Sequence, residues 1–111
     1  MATVVARKLS AIAEGGVRAS DVAQLLGTRP ETVSRWNTGR NQPQGDSLRR
    51  LLELEYIVER LKELYTPEEA RLWLFQRHKA LNGARPADLI QAGQTEEVLR
   101  AIDQLGDGVY L

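Results

Sequence analysis

Apolar residues recur at three- and four-residue intervals along nearly the whole chain, and glycines or capping residues cut the runs into helix-sized pieces. β-Branched residues are scattered and no period-two alternation is sustained, so an all-α fold is predicted. A first helix, about Thr3 to Glu14, carries Val4, Val5, Leu9, Ile12 and Ala13 and stops at Gly15-Gly16. Ser20 is the expected cap of a short helix through Leu26, and Gly27 supplies the turn. Thr28 and Glu31 form a capping box around Pro30 for the next helix, which Gly39 ends. Asp46 caps a long helix to about Tyr65. Thr66-Pro67-Glu68-Glu69 is a second capping box, opening a helix whose apolar face is Leu72, Trp73 and Phe75, and Asn82-Gly83 breaks the chain again. Two short helices follow, Pro86 to Gln91 and Thr95 to Leu105, for about seven in all.

With 111 residues, 42% of them hydrophobic but only 5% aromatic, the chain makes one compact body or two small helical lobes sharing an aliphatic core. There is no cysteine, so no disulfide, thiolate nucleophile or cysteine zinc site exists. Met1 to Lys8 holds no long apolar stretch, so neither an export signal nor a membrane span is expected, and the cytoplasm is the expected location. The formal charge is zero, but it is unevenly spread. Eight basic and four acidic residues lie up to Arg50, and seven basic and eleven acidic residues follow. A basic first half suits an anionic partner such as nucleic acid, and an acidic second half suits a different one.

From Ala19 to Trp36 the residue types match a helix-turn-helix. Val22, Leu26, Val33 and Trp36 point inward, Ala23 sits where two helices cross with room only for a small side chain, and Gly27 turns the backbone. If the second helix enters a major groove, its outer face presents Arg29, Glu31, Thr32, Ser34 and Arg35 as base-reading candidates. Arginine suits bidentate contact with guanine, and the hydroxyls of Thr32 and Ser34 serve bases or phosphates. Arg18, Arg40, Arg49 and Arg50 suit phosphates. The plainer reading is a solvated cationic face, which for any single arginine competes evenly.

In the long helix, Leu51, Leu54, Val58, Leu61 and Tyr65 make a stripe that is either a dimer seam or part of the core, since fewer than three heptads do not separate the two. Trp36 and Trp73 read as core aromatics. His78, the only histidine, has no clustered ligand and reads as a solvated residue near a helix end, so no metal site is expected. Glu68-Glu69 and Glu96-Glu97 sit in first turns, where acids complement the helix dipole. With neither a phosphate-binding glycine loop nor a nucleophile elbow, no enzyme and no cofactor are expected. Val109-Tyr110-Leu111 is unusually apolar for a chain end, and either folds back on the protein's own core or inserts into a partner's cleft.

The chain as a whole resembles the Xre/MbcA/ParS-type antitoxins, which pair a Cro-like helix-turn-helix with a helical toxin-binding domain. In the first half the resemblance rests on Thr32-Val33-Ser34-Arg35-Trp36, Gly39, Pro43-Gln44 and Arg50-Leu51-Leu52-Glu53-Leu54. In the second it rests on Trp73-Leu74-Phe75, Arg85-Pro86-Ala87-Asp88-Leu89-Ile90, Gly93, Val98-Leu99, Ile102-Asp103 and Gly108-Val109-Tyr110. It implies a RES-domain toxin partner that consumes NAD and whose active-site cleft this chain blocks. It further implies that Gly108, Val109, Tyr110 and Leu111 lie at that cleft, with Arg85 in the family's most recognisable stretch. Pro86 and Asp88 also make an ordinary turn and helix start.

The expected organisation is a helix-turn-helix DNA-binding domain over 1–45, a connecting or dimerisation helix over 46–65 and a toxin-binding helical domain over 66–111. The expected function is that of a type II antitoxin. It acts as a homodimer within a larger toxin–antitoxin complex, neutralises the toxin through its second half, and represses its own operon by binding an inverted-repeat operator through its first. The alternative is a free-standing Xre-family repressor whose second half only dimerises or binds an effector.

Overall fold

A computed structural model describes residues 3–107. Among them seven α-helices and one 3-10 turn follow in order: α1 Val4–Glu14, α2 Ala19–Leu26, α3 Pro30–Thr38, α4 Asp46–Lys62, α5 Pro67–Phe75, the 3-10 turn Lys79–Leu81, α6 Pro86–Gln91 and α7 Thr95–Asp107. The all-α expectation holds, and most element positions do too, because apolar periodicity and glycine stops are local signals. α1 packs on α3 and α4, α2 on α3, α4 and α6, and α7 on α4, α6 and the 3-10 turn. One apolar core runs through both halves, from Leu9, Ile12 and Val22 through Leu51, Leu54, Ile57 and Leu61 to Leu74, Val98 and Ile102. The radius of gyration, 13.8 Å, is close to the roughly 13 Å of a single compact body of this length.

α4 is the central scaffold. Leu51, Leu54, Val58 and Leu61 are all buried by the chain's own helices, with Ile57 beside them and Tyr65 half-buried. Of the two readings left open for this stripe, the described fold therefore uses it as core.

Several helix starts differ from the expected caps. Ser20 is exposed inside α2; Arg18 holds the cap position, and its backbone N–H donates to the Asp21 carboxylate at 3.0 Å. Thr28 does not cap α3, since its own N–H closes α2 by donating to the Ala23 carbonyl at 2.8 Å, and Arg29 takes the cap position. Gly27 sits between them at φ 67°, a left-handed conformation open to glycine at no steric cost. Asp46 is the first residue of α4, not its cap. Gly45 precedes it at φ 57°, and the Asp46 carboxylate turns to Arg49. The second capping box forms as expected: Glu69 N donates to Thr66 Oγ1 at 3.2 Å, and Thr66 N to Glu69 Oε1 at 2.9 Å.

On α5 the inward face is Ala70, Trp73 and Leu74, with Phe75 half-buried, whereas Leu72 is exposed. The core lies against the i, i+3, i+4 row that starts at Ala70, which turns position 72 outward. α4 ends at Lys62, short of Tyr65, and α7 continues past Leu105 through Gly106 to Asp107.

Candidate functional site

The first candidate surface is the outer face of α3. Val33 and Trp36 are buried, so Glu31, Ser34, Arg35 and Thr38, at the complementary helical positions, are exposed. With Pro30 and Arg40 they line one open groove. Arg29 is exposed immediately before the helix, and Gly39 at φ 80° ends it so that Arg40 follows on the same side. Thr32 is half-buried at the flank. Four of the five base-reading candidates, Arg29, Glu31, Ser34 and Arg35, are thus exposed together at one helix with the phosphate candidate Arg40.

The remaining arginines are placed differently. Arg18 is exposed at the start of α2 and lines a separate depression with Pro67, Glu68 and Arg71. Arg49 is exposed but already shared by Asp46 and Glu53, the latter at 2.9 Å, and the hydrogen bond it donates to Asp46 chiefly holds its guanidinium above the usual arginine range. Arg50 is no phosphate ligand in this fold. Its Nη1 donates to the Leu26 carbonyl at 3.2 Å, and its Nη2 donates to those of Ile90 and Gln91, each at 2.7 Å. It therefore satisfies last-turn carbonyls of α2 and α6 at once, which joins the two halves.

A second junction is the buried Asp21, which accepts from Arg18 N and pairs with Arg71 of α5. Arg71 lies over the Phe75 ring, 5.0 Å from its centroid. A third is Arg60 of α4, whose Nη1 donates to Asp103 of α7 at 2.6 Å. Sequence reasoning passed over all three. The usable signal was a charged residue within or beside an apolar row: Asp21 next to Val22-Ala23, and Arg50 next to Leu51.

In the second half, Arg85 is half-buried at the cap position of α6, with Nε 3.7 Å from Asp88 Oδ2, and Pro86 occupies the first helical position. His78 is not a freely solvated side chain. It is partly buried, its Nε2 donates to the Trp73 carbonyl at 2.7 Å, and its ring lies 5.0 Å from that of Trp73. Those two rings line a small apolar hollow with Ala101 and Leu105, beside the last turns of α7. Gly108, Val109, Tyr110 and Leu111 lie outside the described residues. Among the described residues no group of three or more acidic, histidine or cysteine side chains could hold a metal ion, and no helix is long and apolar enough to cross a membrane.

Against known proteins, residues 60–108 match the family model described as the antitoxin Xre/MbcA/ParS C-terminal toxin-binding domain. The chain is 33% identical over 101 residues to the mycobacterial cidal antitoxin MbcA of Mycobacterium tuberculosis and to that of Mycobacterium bovis, covering 91% of this chain and 89% of each relative. Its fold is similar to a chain in the crystal structure of the M. tuberculosis MbcT-MbcA toxin–antitoxin complex, with a TM-score of 0.85, 33% identity, and 98% of this chain and 99% of that one covered. These likenesses place the protein among the antitoxins of toxin–antitoxin systems. More particularly, the chain belongs to the Xre/MbcA/ParS antitoxin family, and the resemblance drawn from its motifs holds from end to end.

Proposed function

We propose that this antitoxin neutralises a RES-type, NAD-consuming toxin with its second half and represses its own operon with its first. The single observation that carries the first part is the end-to-end likeness to a chain of the MbcT-MbcA complex, which includes the stretch matched by the toxin-binding model. In this reading the segment 66–111 contacts the toxin, with Arg85 and the apolar Gly108-Val109-Tyr110-Leu111 as contact residues. Tyr110 offers a large rigid area and one hydroxyl, the kind of anchor that fills a cleft. Blocking the cleft needs no chemistry from the antitoxin, so the toxin is the enzyme.

The second part is supported by the face of α3, where Arg29, Arg35 and Arg40 stand exposed around Glu31 and Ser34 on a helix held by a buried Val33 and Trp36. Arg29, Glu31, Thr32, Ser34 and Arg35 read base edges in this proposal, while Arg18, Arg40 and Arg49 contact phosphates. For Arg49 that contact requires exchange from Asp46 and Glu53. The protein acts in the cytoplasm as a homodimer within a larger toxin–antitoxin complex, and two readers on one two-fold axis select an inverted-repeat operator.

The test is to co-express the chain with the open reading frame adjacent to its gene, purify by a tag on the antitoxin, and assay cellular NAD with and without it. A stable complex that preserves NAD is the expected result. Absence of both complex and NAD effect overturns the toxin reading and leaves a free-standing repressor, with operator binding then tested alone.

A further inference from the structure

We infer that the toxin is gripped at a second place besides the tail: one of its apolar side chains seats in the hollow between the Lys79–Leu81 turn and α7, so that the hollow captures and the tail blocks. The inference rests on the toxin-binding proposal and names a surface for it. The hollow is lined by Trp73 and His78 before the turn, Ala80 within it, and Ala101, Gln104 and Leu105 of α7. Its volume, about 120 Å³, is well below the roughly 300–1,000 Å³ of small-molecule pockets, so it has room for a side chain and not for a cofactor. A polar groove adjoins it, sharing Ala80, Ala101 and Gln104 and adding Asn82, Glu97 and Arg100. On α7, positions 97, 100, 101, 104 and 105 share one face. Glu97 and Arg100 are exposed there, and no ion pair among the described residues uses them. Asp103, by contrast, is already held by Arg60 of α4.

Three observations select the toxin as the occupant. Every residue of both concavities lies within 60–108, the part matched by the toxin-binding model. The tail also tethers the toxin nearby. Tyr110 lies three residues past Asp107, the last residue of α7, and that span is at most about 10–11 Å when fully extended. Ala101 lies about 9 Å back along the helix from the same residue. A folded toxin whose cleft closes on Tyr110 therefore has its surface within about two turns of the hollow. The chemistry, finally, is that of a protein contact: an apolar seat bordered by one charge of each sign, as where an anchor side chain enters a pocket inside a polar rim. The cationic face suited to nucleic acid is elsewhere, on α3. The matching feature on the toxin is a leucine, methionine or phenylalanine flanked by polar groups that complement Glu97 and Arg100.

The probe is the protein encoded by the adjacent open reading frame, titrated against the full-length antitoxin and its variants. Gln104→Trp sets a bulky ring at the mouth of the hollow from an exposed position, so helical circular dichroism should persist while the dissociation constant of the complex rises more than tenfold. Arg100→Gln should raise it several-fold at low salt and less at high salt. Leu72→Gln, which removes an exposed apolar side chain of the same half but outside the hollow, should leave it unchanged. In a chain lacking Val109 to Leu111, capture should weaken but persist, and adding Gln104→Trp should then remove it. Complete loss of capture on that deletion alone, or wild-type affinity in both Gln104→Trp and Arg100→Gln, would overturn the hollow as a contact and leave the antitoxin reading standing. A wild-type chain that captures no toxin would end both. A change in tryptophan fluorescence when Val109 to Leu111 are removed from the free antitoxin would overturn the toxin as occupant and give the hollow to the chain's own tail.

Discussion

Arg50 illustrates how one side chain serves two helices that are far apart in sequence. Its planar guanidinium reaches carbonyls of Leu26 from α2 and of Ile90 and Gln91 from α6, in the last turns of the two helices. Arg50→Ala is expected to destabilise the fold by about 2–3 kcal/mol in urea-induced unfolding, as for loss of hydrogen bonds to a charged donor. Arg50→Lys should recover only part of that, because an ammonium is a point charge and not a fork. A wild-type unfolding midpoint in Arg50→Ala would remove the residue from the junction. At the other surface, Arg35 projects from α3 with no carboxylate partner among the ion pairs formed by the described residues. If it reads a base, Arg35→Ala weakens operator binding by about 1–3 kcal/mol, measured by fluorescence anisotropy at fixed salt, with toxin capture unaltered. Unchanged affinity would exclude it as a reader.

Among the elements, α5 is the one whose start the local chemistry specifies most fully. Thr66 and Glu69 satisfy each other's backbone N–H groups, and Pro67 occupies the first position, where its missing donor costs nothing. Thr66→Ala should cost about 1 kcal/mol, read as a lower thermal midpoint with the helical spectrum of the folded state kept. Thr66→Ser should restore it. The approach to this helix is just as constrained, because Gly16 has φ 110° and a Cβ there would run into the Pro67 carbonyl. The glycine pair that ends α1 is thus also the place where α1 lets α5 pass. That second role was not legible locally, since it depends on a residue about fifty positions away.

At the scale of the whole molecule, the basic and acidic halves are packed into one body with a continuous core, held together at Arg50, at Asp21–Arg71 and at Arg60–Asp103. A partner seated on the second half therefore meets a scaffold that also carries α3. The toxin-binding proposal makes a sharp demand on the end of the chain. Deleting Val109 to Leu111 should abolish neutralisation in the co-expression assay, yet leave the helical content unchanged, because the seven described helices and the core they share all lie before the deleted segment. Protection that survives the deletion would take those residues out of the mechanism.

The sequence by itself determined the fold class, the number and order of the helices, the α5 capping box, the inward sides of α2 and α3 and the family, because periodicity, turn residues and motifs are properties of neighbouring residues. Of its candidate reader residues on α3, Glu31, Ser34 and Arg35 are exposed along one groove, as the burial of Val33 and Trp36 requires, while Thr32 is half-buried at the flank. Only the tertiary structure decided the rest. It made the Leu51 to Leu61 stripe a core row and turned Leu48, Leu52 and Tyr56 outward, took Arg50 away from the phosphate candidates, and set His78 against Trp73. Each of those outcomes depends on which distant helix arrives to cover a face or to offer a carbonyl, and no spacing along one helix encodes that arrival.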